Sequence, residues 1–77
     1  MKYLNHAKLG LVLFSPTVAH SEMARVLRAA HPDSEILSAG FIDAHNRRCY
    51  GGSASLSLES RPEDTRLLAA YFAATGK

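Results

Sequence analysis

His20 and the run Gly51-Gly52-Ser53 are the parts of this 77-residue chain with the most chemistry to offer. His20 lies in "TVAHSEMARVL", where an extended apolar run gives way to apolar residues at three- and four-residue steps. That change of period puts it in the first turn of a helix. Unpaired amide N–H groups and the positive end of the macrodipole favour the neutral imidazole there. A neutral imidazole is the form a general base or nucleophile takes at pH 7, and the same amides attract an anion. The plain alternative is a surface histidine that follows a turn.

The glycine pair sits in "RRCYGGSASLSLE". Glycine allows positive φ and close backbone approach, so a bulge here can aim consecutive N–H groups at a ligand. Ser53 and Ser55 add hydroxyls on one side. The alternative is a kink with a solvated serine face. Lys8, at the mouth of the first expected strand, has an ammonium able to reach an anion or simply to sit in solvent. Cys49 reads as a packing residue, and Arg47-Arg48 as a solvated turn.

These residues need elements to hold them. "KLGLVLFS" (8–15) is rich in β-formers and predicts a buried strand, broken by Pro16 and Thr17. Ala19, Met23, Val26, Leu27 and Ala30 predict an amphipathic helix from Val18, with Thr17 as N-cap, stopped at His31-Pro32-Asp33. "EILSAGF" (35–41) returns to a strand pattern, "DAHNRR" is a turn, and the glycine-serine stretch is a third strand with Ala54, Leu56 and Leu58 packing beneath it. Ser60-Arg61-Pro62-Glu63 has capping-box spacing. Leu67, Leu68, Tyr71 and Phe72 give the second helix an apolar face, with Gly76 as its C-cap. The order is β-α-β-β-α: an α/β (α+β) domain over residues 1–77, with a mixed sheet and two helices, most economically on one face.

Composition sets bounds on this reading. At 47% hydrophobic and 21% charged residues, the chain belongs with globular domains. A domain this small is marginal, and its single cysteine allows no internal disulfide. A homodimer is one way to gain the missing burial. A net charge of +2 from scattered basic residues is no footprint for a nucleic-acid binder. His6, His20, His31 and His45 lack metal-ligand spacing. With no apolar run long enough to span a bilayer and no signal-like start, the expected location is cytoplasmic and no membrane partner is expected.

In order, Lys8, His20 with its helix start, and "CYGGS" resemble the phosphohistidine phosphatase (janus/ocnus) family. That family has a lysine on its first strand, an active-site histidine at a helix start, and a Tyr-Gly-Tyr-Ser strand offering amides to phosphate. The resemblance implies a catalytic His20, and phosphate binding by Lys8, Ser21, Gly52, Ser53, Ala54 and Ser55. It departs from the pattern at Gly52, which stands for the second tyrosine, and in having no counterpart of the arginine some members use. "LVLFSPTVAHSEMARVL…EILSAG" also looks like the phosphate loop of low-molecular-weight tyrosine phosphatases and arsenate reductases. Aligned on Ser21, however, its cysteine becomes Phe14 and its arginine His20, which excludes cysteine chemistry there.

The expectation is therefore a phosphate-binding domain, a hydrolase of phosphohistidine or a similar phosphoamide with His20 as general base. Its partner would be a phosphorylated protein or small phosphoamide, with no cofactor and no metal. The alternatives are a non-catalytic anion or phospho-ligand binding module, and a small protein-interaction domain.

Overall fold

The computed structural model describes residues 1–75, so a cap at Gly76 lies outside the described residues. It has six strands, β1 (Lys2–His6), β2 (Gly10–Phe14), β3 (Ile36–Asp43), β4 (Arg48–Tyr50), β5 (Gly52–Ser53) and β6 (Leu58–Glu59), and two helices, α1 (His20–Ala30) and α2 (Pro62–Thr75). The first four strands form one sheet in the order β2-β1-β3-β4, and β5 pairs with β6 in a separate hairpin. The α+β class expected from the sequence holds. Each strand pair is antiparallel, however, so the sheet is not mixed.

The strand that sequence pattern misses is β1, at the centre of the sheet. It alternates Lys2, Leu4 and His6 with Tyr3 and Asn5, too polar a mixture to read as a core strand. His6 turns the chain into β2: its Nδ1 accepts the N–H groups of Lys8 (3.2 Å) and Leu9 (3.1 Å). Gly10, at φ +80°, completes the turn in a region few other residues adopt. The expected first strand, 8–15, therefore begins two residues later, and Lys8 belongs to the turn.

Alternation along β1 divides the core. Leu4, with Phe14 and Ala39, packs under Ala24 and Leu27 of α1. Tyr3, with Ile42, packs under Leu68 of α2. The helices therefore cover opposite faces of the sheet, not one. Leu4 and Leu68 are both fully buried, and each such side chain stabilises the fold by roughly 2 kcal/mol. Neither face can be left bare. On α2 only Leu68 and Phe72 of the expected apolar face turn to the core, leaving Leu67 and Tyr71 exposed.

Helix boundaries shift for local reasons. Ala19 is the N-cap of α1 and makes no side-chain cap bond. Thr17 is engaged with Ser15 instead, hydroxyl to hydroxyl at 2.8 Å. In α2 the reciprocal cap lies one residue beyond the expected Ser60–Glu63 pair: the Arg61 N–H donates to Asp64 Oδ2 at 2.9 Å. The Ser60 N–H is spent on the Gly51 carbonyl (2.8 Å).

The third expected strand is really β4 plus the β5–β6 hairpin. Ala54–Ser57 is a turn closed by Ser57 N–H to the Ala54 carbonyl, with Ser57 at φ 55°. The turn between β3 and β4 is tied by Asp43, whose carboxylate accepts the Asn46 side chain (2.7 Å) and the N–H groups of Asn46 and His45. Those bonds, from Asn46 first, hold the Asp43 carboxyl below its usual range. A carboxyl depressed in the folded state stabilises it above the unfolded pKa, and that contribution is lost as pH falls through the lower folded value. Asn46→Ala is expected to raise the Asp43 midpoint toward an ordinary aspartate, as read by carboxyl ¹³C titration. An unmoved midpoint would refute this account of the turn.

Candidate functional site

His20 is the first residue of α1, as its sequence context predicts, but its side chain turns inward and is only 5% exposed. The ring sits edge-on to Phe14 and to Phe41, each with centroids 5.5 Å away. Its Nε2 lies 2.9 Å from the Gly40 carbonyl oxygen. A carbonyl only accepts, so Nε2 carries the proton and, in the neutral ring, Nδ1 carries the lone pair. The imidazole is held in one tautomer by backbone and in one orientation by two aromatic rings.

The glycine-serine stretch forms a second feature. An open cleft of about 780 Å³ is lined by Gly51 to Ala54 on one side and Ser57 to Ser60 on the other. Gly51, at φ +72°, swings the chain from β4 into the hairpin, and Phe41 packs against it. Ser53 is buried and its Oγ lies 3.2 Å from Ser55 Oγ, so these two hydroxyls do share one side. Leu56 and Leu58 reach down to the α1 core, as expected, while Ala54 is exposed. Ser55 does not line the cleft itself. Glu59 does, and its carboxylate is the charged group among the lining residues.

His20 and the cleft are neighbours through Phe41, which touches both the imidazole and Gly51. Among the described residues, His20 hydrogen-bonds Gly40 and makes no hydrogen bond to Ser53, Ala54 or Ser55. Lys8 is not brought to either. It is exposed in the β1–β2 turn, whereas Phe14 and Phe41, the rings around His20, are both register partners of Lys2 at the opposite end of β1. Four strand steps separate those ends, roughly 13 Å. Ser21 is exposed on α1.

The ammonium at the His20 end of the sheet belongs to Lys2, whose Nζ donates to the Val18 carbonyl at 2.9 Å. The sequence offers Lys8 as the strand-end cation and misses Lys2 because β1 itself is not legible; the β1 register puts Lys2 at this end.

A buried polar cluster on the α2 face also escaped sequence reasoning. Asp64, fully buried, accepts the Tyr3 hydroxyl at 2.5 Å and the Asn5 amide at 3.1 Å. Burial, and then the hydrogen bond and charge of Asp64, push the Tyr3 phenol far above its ordinary range, so it keeps its proton and donates. Burial likewise raises the Cys49 thiol, with the Asp64 charge adding to it and a Tyr3 hydrogen bond opposing it. This is the environment of an inert packing thiol. The cluster is closed to solvent and holds the fold. Its one signal in sequence is Arg61-x-x-Asp64, a second capping spacing overlapping the first.

Among the described residues, no group of three or more His, Cys, Asp or Glu side chains is placed to hold a metal ion. No described helix is long and apolar enough to cross a membrane. Fold and cleft together define a small α+β domain with a serine-lined hairpin pocket beside a buried, oriented histidine. No protein-family model matches the chain, and no curated protein or solved structure is significantly similar to it.

Proposed function

We propose that the chain is a binding module for a phosphate-sized anion or phosphorylated group, seated in the cleft between Gly51–Ala54 and Ser57–Ser60. The observation that carries this reading is the cleft's composition. Two glycines and the serines at 53, 57 and 60 line one open pocket. Hydroxyls at a glycine-rich turn are suited to an anion's oxygens, whereas the Ser57 and Ser60 N–H groups are already given to the Ala54 and Gly51 carbonyls. Glu59 opposes such a ligand and so supplies the test. Glu59→Gln is expected to tighten inorganic phosphate by roughly three- to fivefold, the Coulomb effect of removing one like charge across a largely aqueous cleft. Amide-detected NMR titration measures it. Unchanged or weaker binding in the variant would count against an anion at this position.

A hydrolytic reading is favoured by one observation, the Gly40 bond that leaves Nδ1 of His20 as the proton acceptor. It requires that hydrolysis of a phosphoramidate or a phosphohistidine protein be lost in His20→Ala. Unchanged turnover in that variant rejects it.

A further inference from the structure

The two edges of the main sheet are unlike. At one edge β4 is three residues long, follows Arg47 and starts at exposed Arg48, and ends where Gly51 turns the chain away. Short length and charge are the usual ways to blunt an edge. At the other edge, β2 is "GLVLF": no charge, no proline, and a residue-by-residue register with β1 unbroken by any bulge. Its far side carries a row of backbone donors and acceptors with no neighbouring strand among the described residues.

The side chains around this edge are apolar too. Leu11 and Leu13 pack against the α2-side core and are only half-buried. On α2, Thr65 turns toward β4, where its Oγ1 accepts the Cys49 N–H, and Arg47 lies over the Phe72 ring. Leu67 and Tyr71, one turn apart, project from the opposite flank, the β2 side, at 40% and 39% exposure. Leu9, in the turn just before the strand, is 49% exposed.

We propose that β2 pairs antiparallel with β2 of a second copy, joining the two four-stranded sheets into one. A second copy is the occupant because an antiparallel edge is its own complement under a twofold axis. With the axis at Val12, Leu11 of each copy opposes Leu13 of the other, and Gly10 opposes Phe14. Lys8, the nearest charge along the strand, falls level with Pro16 of the other copy, so no like charges face each other along the pairing. The pairing covers Leu11 and Leu13 and brings the Leu67–Tyr71 flanks of both copies toward each other. It also supplies burial that a 77-residue domain lacks on its own.

Sedimentation equilibrium from about 10 μM to about 1 mM tests this, since dimerisation is concentration-dependent. The expected mass rises from 8.4 kDa toward twice that value, and the outward β2 amides gain hydrogen-exchange protection over the same range. Leu11→Lys puts a charge into the pairing and is expected to weaken association roughly tenfold or more. Leu67→Lys, on an exposed side chain, weakens it without threatening the core, and circular dichroism verifies its fold. A mass that stays at 8.4 kDa throughout overturns the proposal. So does a dimer indifferent to Leu67→Lys whose β2 amides exchange independently of concentration.

Discussion

Asp64→Ala is expected to lower folding stability by about 3–5 kcal/mol, at the upper end of what one substitution does. The carboxyl accepts three hydrogen bonds from separate parts of the fold: the Tyr3 hydroxyl, the Asn5 amide and the Arg61 N–H at the start of α2. Truncation leaves the Asn5 amide a buried donor without its acceptor and the Tyr3 hydroxyl only the weak acceptor Cys49 sulfur, each costing about 1–3 kcal/mol. Tyr3 and Asp64 are both fully buried. So small a domain holds only a few kcal/mol in total, and the alanine variant is expected to be largely unfolded at 25 °C.

Tyr3→Phe is the gentler comparison. It removes one donor and leaves the carboxyl its other two partners, for a cost of about 1 kcal/mol. Urea titrations of both variants and the parent give the ranking. A loss below that of Tyr3→Phe for Asp64→Ala would mean the cluster is not what joins α2 to the sheet.

Gly40→Ala is expected to cost about 3 kcal/mol by overpacking. The added methyl would strike the Tyr50 carbonyl oxygen, a backbone atom with no rotamer to escape into. It would also press on the Tyr3 ring at 3.2 Å and meet the Gly51 carbonyl at 3.4 Å. Gly10→Ala isolates the other way a glycine is required: nothing lies within 4 Å of its added methyl, but φ is +80°. Its cost is conformational alone, about 1 kcal/mol. Thermal or urea unfolding of the pair checks the order. Because Gly40 supplies the acceptor for His20, the alanine variant should also shift the His20 ring ¹⁵N signals, which Gly10→Ala should leave in place. Equal losses in the two variants would contradict the close approach of the chain at Gly40.

What the sequence made legible was local. The change of period after Thr17 located α1 and placed His20 at its start, and the apolar run through Leu11 and Leu13 located β2. The central strand was not legible, because its polar residues are explained only by distant partners. Tyr3 and Asn5 find Asp64 from 61 and 59 residues away, and His6 is used by the turn that follows it. With β1 missing from the pattern, Lys8 looked like a strand-mouth cation near His20, the position that register gives to Lys2.

The cap of α2 was ambiguous for a similar reason. Ser60-x-x-Glu63 and Arg61-x-x-Asp64 share one spacing, and the choice falls to the second because Gly51 takes the Ser60 N–H. The alternation from Ser53 to Leu58 has the period of a strand, yet the Ser57 backbone enters the left-handed region and folds the stretch into a hairpin. The cleft exists because of that fold. The glycine-serine run was legible as a candidate site, but its shape was not.

The central claim is that the hairpin cleft, not the His20 ring, is where an anion is held. A titration of the ¹⁵N-labelled protein with inorganic phosphate, followed residue by residue and including the histidine ring nitrogens, tests it most directly. The predicted result is a single saturable transition in the amides of Gly52 to Ala54 and Ser57 to Ser60, with the His20 ring signals unmoved. Shifts that begin at His20, or that drift without saturation at scattered surface residues, would contradict the claim.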